Sequence, residues 1–254
     1  MRSARYLTWV GLLVCALALG ACGGGEPGLT VFAAASLRDV CVELGRDFEA
    51  QGGASVQFHF AGSNLLARQI VAARAADAFL SADGHQVDVV ERAGILSAGT
   101  RRALLTNRLV VVVPEDSSWS PEHARDLTQV TRLSLADPEF VPAGRYAREW
   151  LEQSGHWDAL RGRVLPAVDV RAALAAVEVG AAEAGVCYAT DAARSRAVRV
   201  AFEVPPSEAP AISYVACALD DSIAGASFVD YLTTPAASAV FERHGFIVLR
   251  GGTR

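Results

Sequence analysis

Two serines in this chain stand where an oxyanion could be held. The first closes the run Thr30-Val-Phe-Ala-Ala-Ala-Ser36, and the second closes Val56-Gln-Phe-His-Phe-Ala-Gly-Ser63. Each run is an apolar strand pattern that ends in small residues and leads into a helix pattern. A serine at such a junction sets its hydroxyl beside N–H groups that have no intrahelical acceptor. Those groups and the helix dipole attract anions. Two such junctions suggest a single anion held between them.

The second half of the chain adds further donors. The stretch Asp137 to Tyr146 sets Ala143 at a helix start, with Gly144 permitting close approach. Asp169-Val170-Arg171 presents the Val170 N–H at another helix start, and Tyr188 ends a strand with a phenolic hydroxyl. Taken together, these are neutral donors at strand C-terminal ends, where open α/β sheets bind ligands.

Other chemistries find less support. Past the leader there is no Gly-x-Ser-x-Gly elbow, although an exported hydrolase using Ser36 or Ser63 remains the alternative from a different class. His59, His85, His123, His156 and His244 fit no metal-ligand spacing. Asp39 follows Ser36 by three residues, the spacing of a capping box. Asp83 ends a strand and could meet a cation, but one carboxylate is not a metal site. The chain has no lysine, which excludes a Schiff-base lysine and the lysine of a phosphate-binding P-loop.

The chain opens with Arg2 and Arg5, an apolar run from Tyr6 to Leu19, and then Gly20-Ala21-Cys22. This reads as a secretory leader over residues 1–21 rather than a membrane span. Leu19-Gly20-Ala21-Cys22 resembles a bacterial lipobox, which implies that Cys22 is lipidated and becomes the new N-terminus. An ordinary cut near Ala21 is the alternative. Residues 22–28 read as a flexible tether. The net charge of −5 over 254 residues argues against nucleic acid as a partner. Beyond Cys22 stand Cys41 in a helix pattern and Cys187 and Cys217 in strand-like runs, with a Cys187–Cys217 bridge left open.

The elements that must position the donors alternate between strand and helix. Strands are predicted at Leu29–Ala34, Val56–Phe60, Ala78–Ser81, Leu109–Val113, Leu133–Ala136, Val164–Ala167, Gly185–Tyr188, Val198–Val204 and Ile212–Leu219. Helix patterns fill most of the intervals, for example Leu37–Ala50, Leu65–Ala75, Gly144–Gln153 and Arg171–Val179. Such alternation implies parallel-type sheets with helices on both faces. The inferred architecture is α/β with two lobes, residues 29–110 with 212–254 and residues 111–211. The chain would cross between them near Val110–Val113 and Ile212–Leu219.

These segments resemble the periplasmic molybdate-binding protein of an ABC transporter. The matching pieces are Ala33-Ala-Ala-Ser36-Leu, Ala61-Gly-Ser63, Ala76 to Asp83, Asp137-Pro-x-x-Val-Pro-Ala143-Gly144-x-Tyr146-Ala147, Asp169-Val170-Arg171 and Val186-x-Tyr188-Ala-Thr-Asp191. They cover the chain beyond the leader, in order. The resemblance implies two α/β lobes with central mixed sheets joined by two crossing strands, the type II periplasmic-binding arrangement.

It also implies an oxyanion bound by the hydroxyls and backbone of Ser36 and Ser63, the backbone N–H groups of Ala143 and Val170, and the Tyr188 hydroxyl. Molybdenum would enter only within that oxyanion, with molybdate or tungstate as ligand and no cofactor. Membrane subunits of an ABC importer would be partners, the protein would be a monomer on the periplasmic side of the envelope, and its only tie to the membrane would be the lipid anchor. Gly84-His85-Gln86 and Val215 depart from the pattern, in positions outside the implied ligand set. A donor-only site suits molybdate and tungstate, which carry no proton at neutral pH. Hydrogen phosphate brings a proton that needs an acceptor, so it should be rejected. Sulfate has no such proton and would have to be excluded by size, so a receptor for sulfate or another tetrahedral oxyanion is the alternative.

Overall fold

The computed structural model describes residues 28–249, so the leader, Cys22 and all of the tether except Gly28 lie outside the described residues. Two sheets organise the chain. The first sheet contains β1 (Leu29–Ala34), β2 (Val56–Ala61), β3 (Ala78–Ser81), β4 (Arg102–Thr106), β10 (Tyr214–Ala218) and β11 (Ile247–Val248), in the order β11-β4-β10-β3-β1-β2. The second contains β5 (Leu109–Pro114), β6 (Leu133–Ala136), β7 (Val164–Ala167), β8 (Ala184–Tyr188) and β9 (Val198–Glu203), in the order β7-β6-β8-β5-β9.

The helices that matter for the site follow the strands. In the first lobe these are α1 (Arg38–Ala50), α2 (Ser63–Ala73) and α3 (Gly84–Arg92). In the second they are α4 (Pro142–Gln153), α5 (Trp157–Leu160), α6 (Val170–Glu178) and α7 (Ala189–Ala192). Helices α8 (Ile223–Tyr231) and α9 (Pro235–Arg243) then complete the first lobe.

Both sheets are mixed, as the family resemblance implies, whereas alternation alone suggested parallel pairing. β1 pairs in parallel with β2 and β3, and β6 with β7 and β8. However, β10 runs antiparallel to β3 and β4, and β5 runs antiparallel to β8 and β9. The reason is connectivity. β5 follows β4 across only Asn107 and Arg108 and enters the other sheet without a crossover helix, and β10 returns from β9 in the same way. A strand that arrives without a right-handed crossover is free to pair antiparallel. β4 and α5 are further elements that the sequence pattern did not mark, because both are too short to show a period.

Packing follows the apolar pattern. Leu109 to Val113 are all buried, as a continuous β-branched run requires. Under α1, Phe48 meets Phe228 edge-on at 5.2 Å and Tyr231 at 5.3 Å, which fixes the helix against α8. Cys41, Cys187 and Cys217 are free and buried. Cys187 lies in β8 and Cys217 in β10, on different sheets, so the bridge left open by the sequence does not form.

Candidate functional site

The strand ends of the two sheets meet at one small cavity. It is lined by Ala34, Ala35, Ser36, Ala61, Gly62, Ser63 and Ala82 from the first lobe. Val141, Pro142, Ala143, Asp169, Val170 and Tyr188 line it from the second. Ser36, Ser63, Ala143, Val170 and Tyr188, the residues singled out from sequence, are thus all brought together. The space free of atoms is about 220 Å³ including the mouth, but the centre of a water-sized sphere can occupy only about 10 Å³ of it, far less than the ~300–1,000 Å³ clefts that take drug-sized ligands. It suits a compact ion.

Local structure explains why each donor is free. Ser36 sits inside a 3-10 turn, Ala35–Leu37, that precedes α1, and Ser63 is the first residue of α2 after Gly62. Neither hydroxyl is spent on a helix cap. The Ser63 Oγ accepts from the Ala82 N–H at 3.0 Å. The Ser36 Oγ accepts from the Tyr214 hydroxyl at 3.3 Å. Each serine oxygen is therefore held by a donor, and its own proton is left for the cavity. Ala143 and Val170 lie in the first turns of α4 and α6, where N–H groups lack intrahelical acceptors. Gly144 allows α4 to start there. A Cβ at that position would fall 2.0 Å from the Ala136 carbonyl oxygen at the end of β6.

Tyr188 is fully buried, and its hydroxyl has no hydrogen-bond partner. Burial raises its phenol well above the usual value, so it is a neutral donor. An orphaned hydroxyl at the wall of a cavity marks the place of a missing acceptor.

The charged groups around the cavity already have partners within the protein. Asp169 is the one carboxylate in the lining, and its Oδ1 accepts from the Ala172 N–H at 2.9 Å as the N-cap of α6. Arg171 reaches Asp39 of the first lobe at 2.8 Å and also lies against Asp191, in an ion pair whose angles fall short of a hydrogen bond. Asp191 is fully buried, and burial, outweighing Arg171, pushes its carboxyl up to about 7. No guanidinium lines the cavity. What faces an anion is therefore a set of hydroxyls and helix N-termini.

One expectation is corrected and another made specific. Asp39 does not form a capping box with Ser36. The turn at Ala35–Leu37 places it one residue inside α1, where it pairs with Arg171 and more distantly with Arg194 at 3.7 Å. Asp83 does meet a cation, but that cation is a guanidinium of the protein itself. Its Oδ1 caps α3 by accepting from the Gln86 N–H at 2.9 Å, and its Oδ2 accepts from Arg145 of the second lobe at 3.1 Å. Burial raises its carboxyl despite these contacts. Sequence reasoning missed Tyr214 and Asn107, because neither lies at a strand-to-helix junction.

A family model described as bacterial extracellular solute-binding protein matches residues 29–247. The chain belongs to that family. Among its relatives, the molybdate-binding protein ModA of Escherichia coli is 38% identical over 231 residues, covering 88% of this chain and 90% of the relative. The ModA of Haemophilus influenzae is 32% identical over 250 residues, covering 95% and 98%. The solved structure of the Azotobacter vinelandii periplasmic molybdate-binding protein superposes with a TM-score of 0.78, covering 87% of this chain and all of the other, at 20% identity. At that identity the superposition shows the two-lobed fold.

Proposed function

We propose that this solute-binding protein captures molybdate, and tungstate with it, outside the cytoplasmic membrane and delivers it to an ABC importer. The observation that carries this reading is the single small cavity in which Ser36, Ser63, Ala143, Val170 and Tyr188 converge, with the Tyr188 hydroxyl buried and unpartnered. The names of the E. coli and H. influenzae relatives support the same ligand. Ser36 and Ser63 donate from the first lobe. Ala143, Val170 and Tyr188 donate from the second. The protein is a binder rather than an enzyme, and it needs no cofactor.

The same reading assigns residues 29–110 with 212–254 to one lobe and 111–211 to the other, closing on the anion. It takes Cys22 as a lipidated N-terminus that holds a monomer near the importer's membrane subunits. Calorimetric titration with molybdate, tungstate, sulfate and phosphate tests the ligand. Molybdate and tungstate should bind at micromolar or lower concentrations and raise the melting temperature by mass action. Phosphate should do neither. Phosphate binding as tight as molybdate would overturn the assignment.

A further inference from the structure

Behind Ser36 lies a buried chain of hydrogen bonds that ends at the junction between the lobes. Asn107 is one of the two residues that join β4 to β5. Its Oδ1 accepts from the Arg108 backbone N–H at 2.9 Å. A backbone N–H can only donate, so this contact fixes which end of the amide is oxygen. The Nδ2 must then donate, and it does so to Thr190 Oγ1 at 2.9 Å and to the Tyr214 hydroxyl oxygen at 3.3 Å. With that oxygen accepting from Asn107, the Tyr214 proton goes to Ser36 Oγ. Asn107, Thr190, Tyr214 and Ser36 are all buried, so water does not compete. Tyr214 stays a neutral phenol because burial drives its ionisation far up.

We propose that Asn107 and Tyr214 are specificity-determining positioning residues that fix the Ser36 hydroxyl as a donor toward the bound oxyanion. The inference rests on the oxyanion reading of the cavity. Among the described residues the Ser36 proton has no acceptor, so a ligand oxygen can take it. To accept a proton from the ligand, Ser36 would have to leave its own proton buried and unpaired, which is costly. Proton-bearing oxyanions are thereby disfavoured by a residue that never touches them. Ser63 is set in the same sense by the Ala82 N–H, but by backbone, which substitution cannot reverse.

Asn107→Asp supplies the reversal. An oxygen in place of Nδ2 accepts from the Thr190 and Tyr214 hydroxyls. Tyr214 is then turned around and accepts from Ser36, which presents a lone pair to the ligand. The measurement is competition calorimetry at pH 8 with molybdate and phosphate, both dianions there, so the added charge at position 107 cancels in the affinity ratio. The molybdate-to-phosphate ratio should fall about tenfold, the scale of one buried hydrogen-bond mismatch. In a Tyr214→Phe background, where the chain is cut, Asn107→Asp should leave the ratio unchanged. An unchanged ratio in the single variant overturns the inference, as does an equal fall in both backgrounds, while the wild type still binds molybdate. If the wild type binds no molybdate, it is the function that fails, and this inference with it. Should Asn107→Asp not fold, Tyr214→Phe alone decides. It should weaken molybdate binding several-fold in the wild type but not in Ser36→Ala, and equal weakening in both overturns the inference.

Discussion

Tyr188 shows most clearly how a single residue can be built for binding at the expense of stability. With the lobes closed, its hydroxyl is buried without a partner, a condition that ordinarily costs about 1–3 kcal/mol. Replacing the donor with an apolar group of the same shape removes that cost. Tyr188→Phe should therefore weaken molybdate binding by about 1–3 kcal/mol while leaving the unliganded melting temperature equal or higher. Calorimetry and thermal unfolding of the same variant check both halves. A hydroxyl with a structural role would lower both quantities, and that result would contradict the binding assignment. Ser36, Ser63 and Tyr188 were legible in the sequence because each stands at the end of a strand pattern. Their partners were not. Tyr214 lies at the start of β10 and reaches Ser36 across 178 positions of chain, and no local pattern encodes such a contact. Asp39 misled for the opposite reason. Its spacing from Ser36 satisfied a local rule, but a guanidinium from the other lobe took the carboxylate first.

At the scale of elements, the site is made by the first turns of α2, α4 and α6 being aimed at one point from two sheets. Strand and helix alternation predicts these elements to within a few residues. It could not give strand direction, because direction depends on whether a connection includes a crossover helix. The close approach between elements is also tertiary. Gly62, the N-cap of α2, lies against the loop before α6, and a Cβ there would fall 2.8 Å from the Val168 carbonyl oxygen and 2.8 Å from Asn64 Oδ1. Backbone cannot yield as a flexible side chain can, so the added methyl must push the two loops apart. Gly62→Ala removes no donor from the cavity. It should nonetheless weaken molybdate binding about tenfold or more, the scale of an overpacked contact of ~1–3 kcal/mol. Unliganded stability should change less, since only contact between the lobes is affected. Wild-type affinity in this variant would mean that the loops can separate at no cost to the site.

For the whole molecule, the question is what holds the two lobes around the anion. Besides the ligand, ion pairs bridge them, among them Asp39 with Arg171 at 2.8 Å and with Arg194 at 3.7 Å, and Asp83 with Arg145 at 3.1 Å. Asp39 is partly exposed, so its pairs contribute at the low end of the usual ~0–1 kcal/mol. Asp83 is 5% exposed and belongs to α3 as its cap, so losing Arg145 would leave a buried carboxylate short of a partner. The pairs therefore favour closure modestly, and an anion held as proposed, by donors on both lobes, would supply the larger bias through higher affinity for the closed form. Among the described residues two connections join the sheets, and one is the Asn107–Arg108 step, so rotation about them moves the lobes as bodies. Small-angle scattering should show a smaller radius of gyration with molybdate than without. Arg145→Ala should leave the bound radius unchanged, enlarge the unliganded one and weaken binding several-fold, because more of the closing work then falls to the ligand. An unliganded protein as compact as the complex, in both wild type and Arg145→Ala, would show that the lobes are closed before the anion arrives and that binding does not drive their approach.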